Sequence, residues 1–208
     1  MSEGIAWIGA HSTIDRSATL PGMLGGISLT AVRGVEADEF LINLGADLDE
    51  LAARTAYRDL TAAVGGPPPG VNPVMYGQCG EWLYVLEDWG MATWSTGFRK
   101  VPSMRPGPGD EVVCVTMNWW SPPQAILHAP GDERVRRAEF GEDTGEGSAL
   151  DAALNAAGAV LLAPQSDEDA GTRLSEAVFT AVGTYCGLSI SQGLVQAGEL
   201  CGLFIPMV

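Results

Sequence analysis

The stretch Gly80–Gly90, GEWLYVLEDWG, decides the fold of this chain. Its five residues from Trp82 to Leu86 are all large and either apolar or aromatic. Successive residues of a β-strand point to opposite faces of a sheet, so such a run is typical of a strand that is covered on both faces. The sequence therefore predicts a central strand over Trp82–Glu87.

The rest of the middle third is also rich in large apolar and aromatic residues. Five of the six tryptophans lie between residues 82 and 120, and EVVCVTMNWW predicts a second central strand over Glu111–Trp119. Further strands are predicted where short apolar or alternating runs are bounded by Gly- and Pro-rich turns; these are Ile27–Val32, Gln124–His128 and Val135–Phe140. The short turns between them favour antiparallel pairing.

Segments with helical periodicity lie on both sides of the middle third of the chain. Apolar residues recur at helical spacing in four segments; these are Glu36–Leu44, Asp47–Val64, Ser148–Gly158 and Leu174–Tyr185. The last of the four carries the most regular apolar stripe. The apolar tail GELCGLFIPMV at residues 198–208 is expected to pack on the core as a strand or a short helix.

These patterns predict one α+β domain over residues 1–208. An antiparallel sheet of four or five strands from the middle third is packed by helices from the N- and C-terminal thirds. Residues 1–26 are expected to form a loosely structured lead. The Gly- and Pro-rich segment GGPPPG at residues 65–70 is expected to be an internal linker.

The order of these segments resembles a family of small acidic actinobacterial proteins that is known as a domain of unknown function. The resemblance rests on VRGVEADEFLINLGAD at residues 32–47, on the turn Glu87–Gly90 after a Trp-containing strand, and on the Gly131–Asp132 turn of a strand pair. It spans about residues 27 to 205, while MATWSTGFRK after the first turn departs from the family's Arg/Gly/Ser pattern. The resemblance implies one α+β domain and no particular activity.

The chain is strongly acidic, with 26 Asp and Glu against 11 Lys and Arg and a formal net charge of −15. A field of this sign repels nucleic-acid phosphates and anionic lipid headgroups, which proteins bind chiefly through Lys and Arg. Ordinary nucleic-acid binding and membrane binding are therefore disfavoured. No apolar run approaches the roughly 18 residues that span a bilayer, and the N-terminus lacks the pattern of a signal peptide. These features predict a cytoplasmic protein.

Motifs for metals, nucleotides and nucleophilic catalysis do not occur in the sequence. The cysteines are far apart and are interpreted as buried, reduced side chains; they are Cys79, Cys114, Cys186 and Cys201. Neither histidine has a Cys or His neighbour that would complete a zinc site. The glycines match no phosphate-binding loop, and no serine lies in a nucleophile elbow. We therefore predict no metal, no cofactor and no catalytic residue.

Two acidic residues and a histidine are candidates for a binding site. Glu87 and Asp88 lie among tryptophans, an environment that raises carboxyl pKa values; the alternative is a strand end at which Asp88 begins a turn. His128 stands near the end of a predicted strand, four residues before Asp132. It is either a general base or a structural histidine.

Three tryptophans complete the set of candidates. Trp119 and Trp120 are neighbours in or beside a predicted strand, so their rings face opposite sides of the sheet. Either both faces are buried, or Trp120 is exposed and anchors a partner or an aromatic ligand. If the protein has a ligand pocket, Trp82, Trp119 and His128 are predicted to line it.

Two functions fit these features. The first is a non-enzymatic cytoplasmic interaction module, of the immunity, antitoxin or anti-defence type, whose acidity suits a protein partner with a basic surface. The second is a small-molecule-binding or hydrolytic protein with a Trp-lined pocket. A flat acidic surface favours the first function, whereas a concave pocket that contains His128 or Glu87 favours the second.

Overall fold

The computed structural model describes residues 4–11, 21–23, 26–63, 68–117, 124–162 and 169–207. Its strands are β1 (Ser28–Arg33), β2 (Val71–Cys79), β3 (Trp82–Glu87), β4 (Pro108–Thr116), β5 (Ala125–Asp132), β6 (Arg136–Glu139) and β7 (Cys201–Pro206). Its α-helices are α1 (Ala6–Ala10), α2 (Ala37–Asn43), α3 (Leu48–Ala53), α4 (Tyr57–Ala63), α5 (Thr93–Gly97), α6 (Ala149–Ala156), α7 (Ala170–Cys186) and α8 (Gln192–Gln196). A 3₁₀ turn covers Pro102–Met104.

All seven strands of the described residues belong to one sheet, in the order β6-β5-β4-β1-β3-β2-β7, and every neighbouring pair is antiparallel. The predicted α+β class with an antiparallel sheet is confirmed. The prediction of four or five strands is wrong, because β2 and β7 extend the sheet beyond β3. β2 lacks a recognisable strand pattern since Pro73 and Gly77 interrupt it.

The sheet is covered on both faces, as the run in β3 predicts. Trp82, Tyr84 and Leu86 are buried on one face together with apolar residues of α1, α6, α7 and α8. Leu83 and Val85 are buried on the other face, together with apolar residues of α2, α3 and α5. We call these two faces the α7 face and the α2 face.

The helix predicted over Asp47–Val64 is divided into α3 and α4. The backbone between them pairs with the start of β7: the Gly202 N–H donates to the Thr55 carbonyl, and the Tyr57 N–H donates to the Leu200 carbonyl. A continuous helix would use these groups internally. The break therefore covers part of the outer edge of the sheet, which would otherwise expose unpaired backbone groups.

The segment at residues 1–26 contributes α1, an element that the sequence did not predict. Ile5 and Ile8 are buried, and α1 packs against α7. A Cβ atom on Gly9 would lie 2.4 Å from the backbone of Ser175, so the close approach of the two helices requires glycine at this position. Half of the segment predicted as the internal linker, residues 65–67, lies outside the described ranges.

The four cysteines are free thiols. Cys114 and Cys186 are buried, as predicted, whereas Cys79 and Cys201 are half-buried. The prediction of burial is wrong for these two because each stands at the end of a strand, where the cover of the sheet is incomplete. No helix of the described residues has the length and apolar composition needed to cross a membrane.

Candidate functional site

The predicted site residues do not form one site. Trp82 and Glu87 are the first and last residues of β3 and point to opposite faces of the sheet. His128 lies in β5, on the same α7 face as Trp82. Trp119 and Trp120 lie outside the described residues.

A row of polar and aromatic side chains crosses the α7 face at one end of the sheet. Arg33 of β1 and Glu111 of β4 are directly paired in the strand register, and His128 of β5 lies diagonally across from Glu111. The guanidinium carbon of Arg33 lies 4.9 Å from the centroid of the Trp82 ring. Tyr185, in the last turn of α7, reaches this row from the helix layer. Sequence reasoning named Trp82 and His128 as site residues. It missed Arg33, Glu111 and Tyr185.

The Glu111 carboxylate is the centre of the row and accepts hydrogen bonds on both oxygens. Oε2 accepts from the Arg33 guanidinium, with Nε at 2.8 Å and Nη2 at 2.6 Å. Oε1 accepts from the Tyr185 hydroxyl and faces Nε2 of His128 at 3.2 Å. Burial alone raises the pKa of this carboxyl, but hydrogen bonds from Tyr185, Arg33 and His128 outweigh burial and hold the pKa below its usual value. Glu111 is therefore ionised at neutral pH.

His128 is buried, with 1% of its surface exposed. Its Nε2 faces a carboxylate that can only accept, so the proton of the neutral ring is assigned to Nε2. Nδ1 is then a bare acceptor, and it has no hydrogen-bond partner within the part of the chain that the structure describes. Burial lowers the pKa of His128 and outweighs the opposing effect of Glu111. The ring is therefore neutral at pH values near 7.

Tyr185 packs against two rings of the row. Its ring meets Trp82 edge-on at a centroid distance of 6.2 Å and meets His128 edge-on at 5.8 Å. Burial, together with the hydrogen bond to Glu111, raises the pKa of the Tyr185 hydroxyl. The hydroxyl therefore keeps its proton and donates to the carboxylate.

An open cleft of about 910 Å³ adjoins this row at the ends of β1, β4 and β5. Three glycines with positive φ line it: Gly34 at 94°, Gly109 at 88° and Gly131 at 91°. A Cβ atom on Gly34 would lie 2.5 Å from the carbonyl oxygen of Gly109, so the close approach of these strand ends requires glycine. The pairing of β4 with β5 shifts between Pro108 and Glu111, which marks a β-bulge at the cleft.

The cleft lining is acidic. Its five carboxylates belong to Glu36, Glu39, Glu81, Asp110 and Glu111. The single cation in the lining, Arg33, is paired with Glu111 at 2.6 Å and lies 3.8 Å from a carboxylate oxygen of Glu81. The other three carboxylates enter no ion pair within the described residues. The cleft therefore presents an excess of negative charge to solvent.

Glu87 has a structural environment on the α2 face. It is 1% exposed and accepts hydrogen bonds from the Thr93 N–H and hydroxyl, both at 2.7 Å, and from Asn72 Nδ2 at 3.0 Å. Thr93 is the first residue of α5, so the carboxyl satisfies a donor at the N-terminus of this helix. Burial raises the pKa of Glu87 and outweighs these hydrogen bonds. The side chain attaches α5 to the sheet and does not line the cleft.

Asp88 follows β3 in a turn. Its Oδ1 accepts a hydrogen bond from the Trp89 N–H at 2.9 Å, and its carbonyl accepts from the Met91 N–H. Burial raises the pKa of Asp88 to about 6, although the hydrogen bond from Trp89 opposes this shift. Trp89 is half exposed and has a left-handed φ of 59°. This turn lies at the end of β3 opposite to the cleft, so Asp88 belongs to neither the row nor the cleft.

No group of three or more His, Cys, Asp and Glu side chains is placed to hold a metal ion in the described ranges. No family model matches the chain, and neither a curated protein nor a solved structure matches it. The resemblance to the actinobacterial family therefore stays a prediction.

Proposed function

We propose that the protein is a non-enzymatic interaction module whose acidic cleft receives a positively charged side chain, Lys or Arg, of a protein partner. The observation that carries this proposal is the lining of the cleft, in which five carboxylates surround one guanidinium that is already paired. A concave surface lined by charges of one sign concentrates the field and attracts groups of the opposite sign. The net charge of −15 extends this attraction beyond the cleft.

The row beside the cleft supports binding rather than hydrolysis. Both oxygens of Glu111 already accept hydrogen bonds, and His128 is buried with its Nε2 directed at Glu111. A general base must reach the proton that it removes; the oxygens of Glu111 are occupied, and the unpaired Nδ1 of His128 is buried, on a side chain that does not line the cleft. We therefore assign the row to the support of Arg33 and Glu111, which form one wall of the cleft.

A second candidate is a small-molecule-binding protein that takes an organic amine in the same cleft. The cleft volume of about 910 Å³ favours this candidate, because it lies within the range of small-molecule sites. The chemistry of recognition is the same in both cases, since carboxylates bind a cationic nitrogen. The two candidates differ in whether the cation belongs to a protein chain.

The test compares decalysine, a peptide probe, with spermidine, a small amine probe, by calorimetric titration and by NMR chemical shifts. The variant Glu36→Gln/Glu39→Gln removes two carboxylates of the cleft. The control Glu133→Gln/Glu142→Gln removes two exposed carboxylates elsewhere and changes the net charge equally. We expect the cleft variant to weaken decalysine binding by about tenfold and the control variant by less than about twofold.

Equal weakening of decalysine binding by the two variants would show that only the overall charge matters and would contradict the proposed site. If spermidine binds more tightly than decalysine and depends on Glu36 and Glu39, the second candidate replaces the first. Binding should also weaken as the salt concentration rises, because screening shortens the range of the attraction.

A further inference from the structure

We propose that a second surface, formed by the turn between α2 and α3 and by the end of β7, docks a basic protein segment that carries an apolar anchor residue. This surface consists of Ile42, Gly45, Leu48, Pro206 and Met207, and we call it the 42–48 surface. The proposal rests on the proposed function in one respect, namely that the partner is a protein with a basic surface. Its apolar side chains do not line the cleft, whereas two carboxylates of its acidic segment, Glu36 and Glu39, belong to the cleft lining as well.

The 42–48 surface concentrates exposed apolar side chains. Six large hydrophobic residues are exposed in the described part of the chain, and three of them belong to this surface: Ile42 at 41%, Leu48 at 65% and Met207 at 54%. Single exposed apolar residues are common on protein surfaces. A concentration of them is typical of an interaction site.

Local contacts hold together the two segments that carry these three residues. A Cβ atom on Gly45 would lie 2.8 Å from Cδ of Pro206, so the turn between the helices lies directly against the end of β7. The Phe204 N–H donates to the Glu50 carboxylate at 3.0 Å, which extends the contact along β7. Two of the exposed apolar residues lie three positions before and after Gly45, and the third follows Pro206. The exposed apolar residues therefore stand on two segments that are in direct contact at Gly45 and Pro206.

The segment that carries Ile42 and Leu48 is strongly acidic. Between Gly34 and Ala53 the sequence contains six carboxylates and no Lys, Arg or His. The six are Glu36, Asp38, Glu39, Asp47, Asp49 and Glu50. A matching partner presents an apolar side chain to the centre of the surface and Lys or Arg to its margin, because buried apolar anchors supply affinity and charged margins supply steering.

Charge also decides between this partner and other occupants. A second copy of the chain would place six carboxylates against six and would add a net charge of −15 to another −15. An anionic lipid surface is repelled in the same way. A basic protein segment with an apolar anchor makes favourable contacts with both the apolar centre and the acidic margin.

The 42–48 surface and the cleft can serve the same partner. The seven residues of α2 extend about 10 Å along the helix axis. Glu36 and Glu39, at the start of this helix, line the cleft, while Ile42 lies in its last turn. A partner that places a cation in the cleft therefore reaches the apolar surface with neighbouring residues.

The experiment uses two synthetic probe peptides and the full chain. One peptide combines Lys and Leu so that it is amphipathic as a helix, and the other has every Leu replaced by Ala. Titration calorimetry measures the affinity of both peptides for the unmodified chain, for Leu48→Ser/Met207→Ser and for the control Leu194→Ser. Leu194 is a suitable control because it is 41% exposed on α8 and lies outside the 42–48 surface.

We expect the unmodified chain to bind the Lys-Leu peptide at least about tenfold more tightly than the Lys-Ala peptide. This preference should disappear in Leu48→Ser/Met207→Ser and persist in Leu194→Ser. Circular dichroism at increasing temperature should give the same Tm for all three proteins, because the replaced side chains are exposed. Leu48→Gln serves as the replacement variant if the double variant does not fold.

Equal affinities of the two peptides for the unmodified chain would overturn the proposal, as would equal losses in Leu194→Ser and in the double variant. Leu48-dependent binding to phosphatidylcholine vesicles, or a Leu48-dependent dimer in sedimentation, would assign the surface to a lipid or to a second copy and would also overturn it. Failure of the cleft proposal gives a different result: Glu36→Gln/Glu39→Gln then has no larger effect than its charge-matched control, while the preference for Leu over Ala remains.

Discussion

The Tyr185 hydroxyl donates a hydrogen bond to the Glu111 carboxylate, and this contact joins the last turn of α7 to the start of β4. The same carboxylate holds the guanidinium of Arg33, and both of these groups line the cleft. The position of one wall of the cleft therefore depends on the packing of α7 against the sheet.

Replacement of Tyr185 by Phe tests this connection. The variant keeps the ring that packs on Trp82 and His128 and removes only the hydroxyl. A hydrogen bond to a charged group contributes about 1.5–3 kcal/mol, so we expect a loss of this size in the free energy of unfolding in urea. The double variant Tyr185→Phe/Glu111→Gln should lose less than the sum of the two single losses. Strictly additive losses would show that the two groups do not interact.

Replacement of Glu87 tests its structural role. Glu87→Ala leaves the Thr93 N–H and hydroxyl and the Asn72 amide without their buried acceptor. We expect a loss of at least about 3 kcal/mol in the free energy of unfolding. The control Glu87→Gln retains an acceptor oxygen and should lose less. Decalysine binding should be unchanged in Glu87→Gln, and loss of that binding would return Glu87 to the binding site.

Most of the central fold could be predicted because its signals are local. The strand predicted over Trp82–Glu87 agrees with β3 at both ends, since a run of large apolar residues that long must be covered on both faces. β2 could not be predicted in this way. Pro73 and Gly77 interrupt its pattern, and its partner β7 lies more than 100 residues away in the sequence. This segment takes its strand conformation from its pairing with β3 across the short turn at residues 80–81 and from its pairing with β7.

The candidate site was harder to predict than the sheet. The sequence places Tyr185 in an apolar helical stripe and Glu111 at the start of a predicted strand. Neither pattern indicates that the two side chains meet. They meet because β1 lies between β3 and β4 in the sheet and because α7 crosses the same face. This strand order depends on contacts distant in sequence, so periodicity and turn motifs do not contain it.

The thiols should react at two different rates. Cys114 and Cys186 are buried, and burial raises the pKa of both, that of Cys114 to about 12. Both should resist a disulfide reagent until the protein unfolds, because the thiolate is the reactive form. Cys79 and Cys201 are half-buried and should react in the folded protein. Mass spectrometry of digested samples identifies the labelled positions, and rapid labelling of Cys114 or Cys186 would contradict their placement.

His128 should make the protein less stable as the pH falls. Burial lowers the pKa of His128 in the folded state, and the charge of Arg136 lowers it further. Glu111 and Asp151 raise this pKa, but burial outweighs them. Below the ordinary value of 6.5 the unfolded chain binds a proton that the folded chain does not, so stability decreases as the pH falls. His128→Gln removes this proton uptake. Relative to this variant, the unmodified chain should lose stability in urea between about pH 7 and about pH 5.

Asp88 should have the opposite effect in an overlapping pH range. Its pKa is raised from 3.8 to about 6 in the folded state, chiefly by burial. Between these values the folded chain keeps a proton that the unfolded chain has released, so the stabilising contribution is complete below 3.8 and is lost as the pH rises to about 6. Relative to Asp88→Asn, the unmodified chain should therefore lose stability as the pH rises through this range.

The two opposing effects partly cancel in the unmodified chain, and single variants separate them. Asp88→Asn retains the His128 effect, so its stability should increase with pH more steeply than that of the unmodified chain. His128→Gln retains the Asp88 effect, so its stability should increase less steeply. Urea unfolding of the unmodified chain and both variants at several pH values measures these slopes. A pH profile of Asp88→Asn that is parallel to that of the unmodified chain would show that the Asp88 carboxyl has an ordinary pKa, and therefore that its turn is more open to solvent than the structure places it.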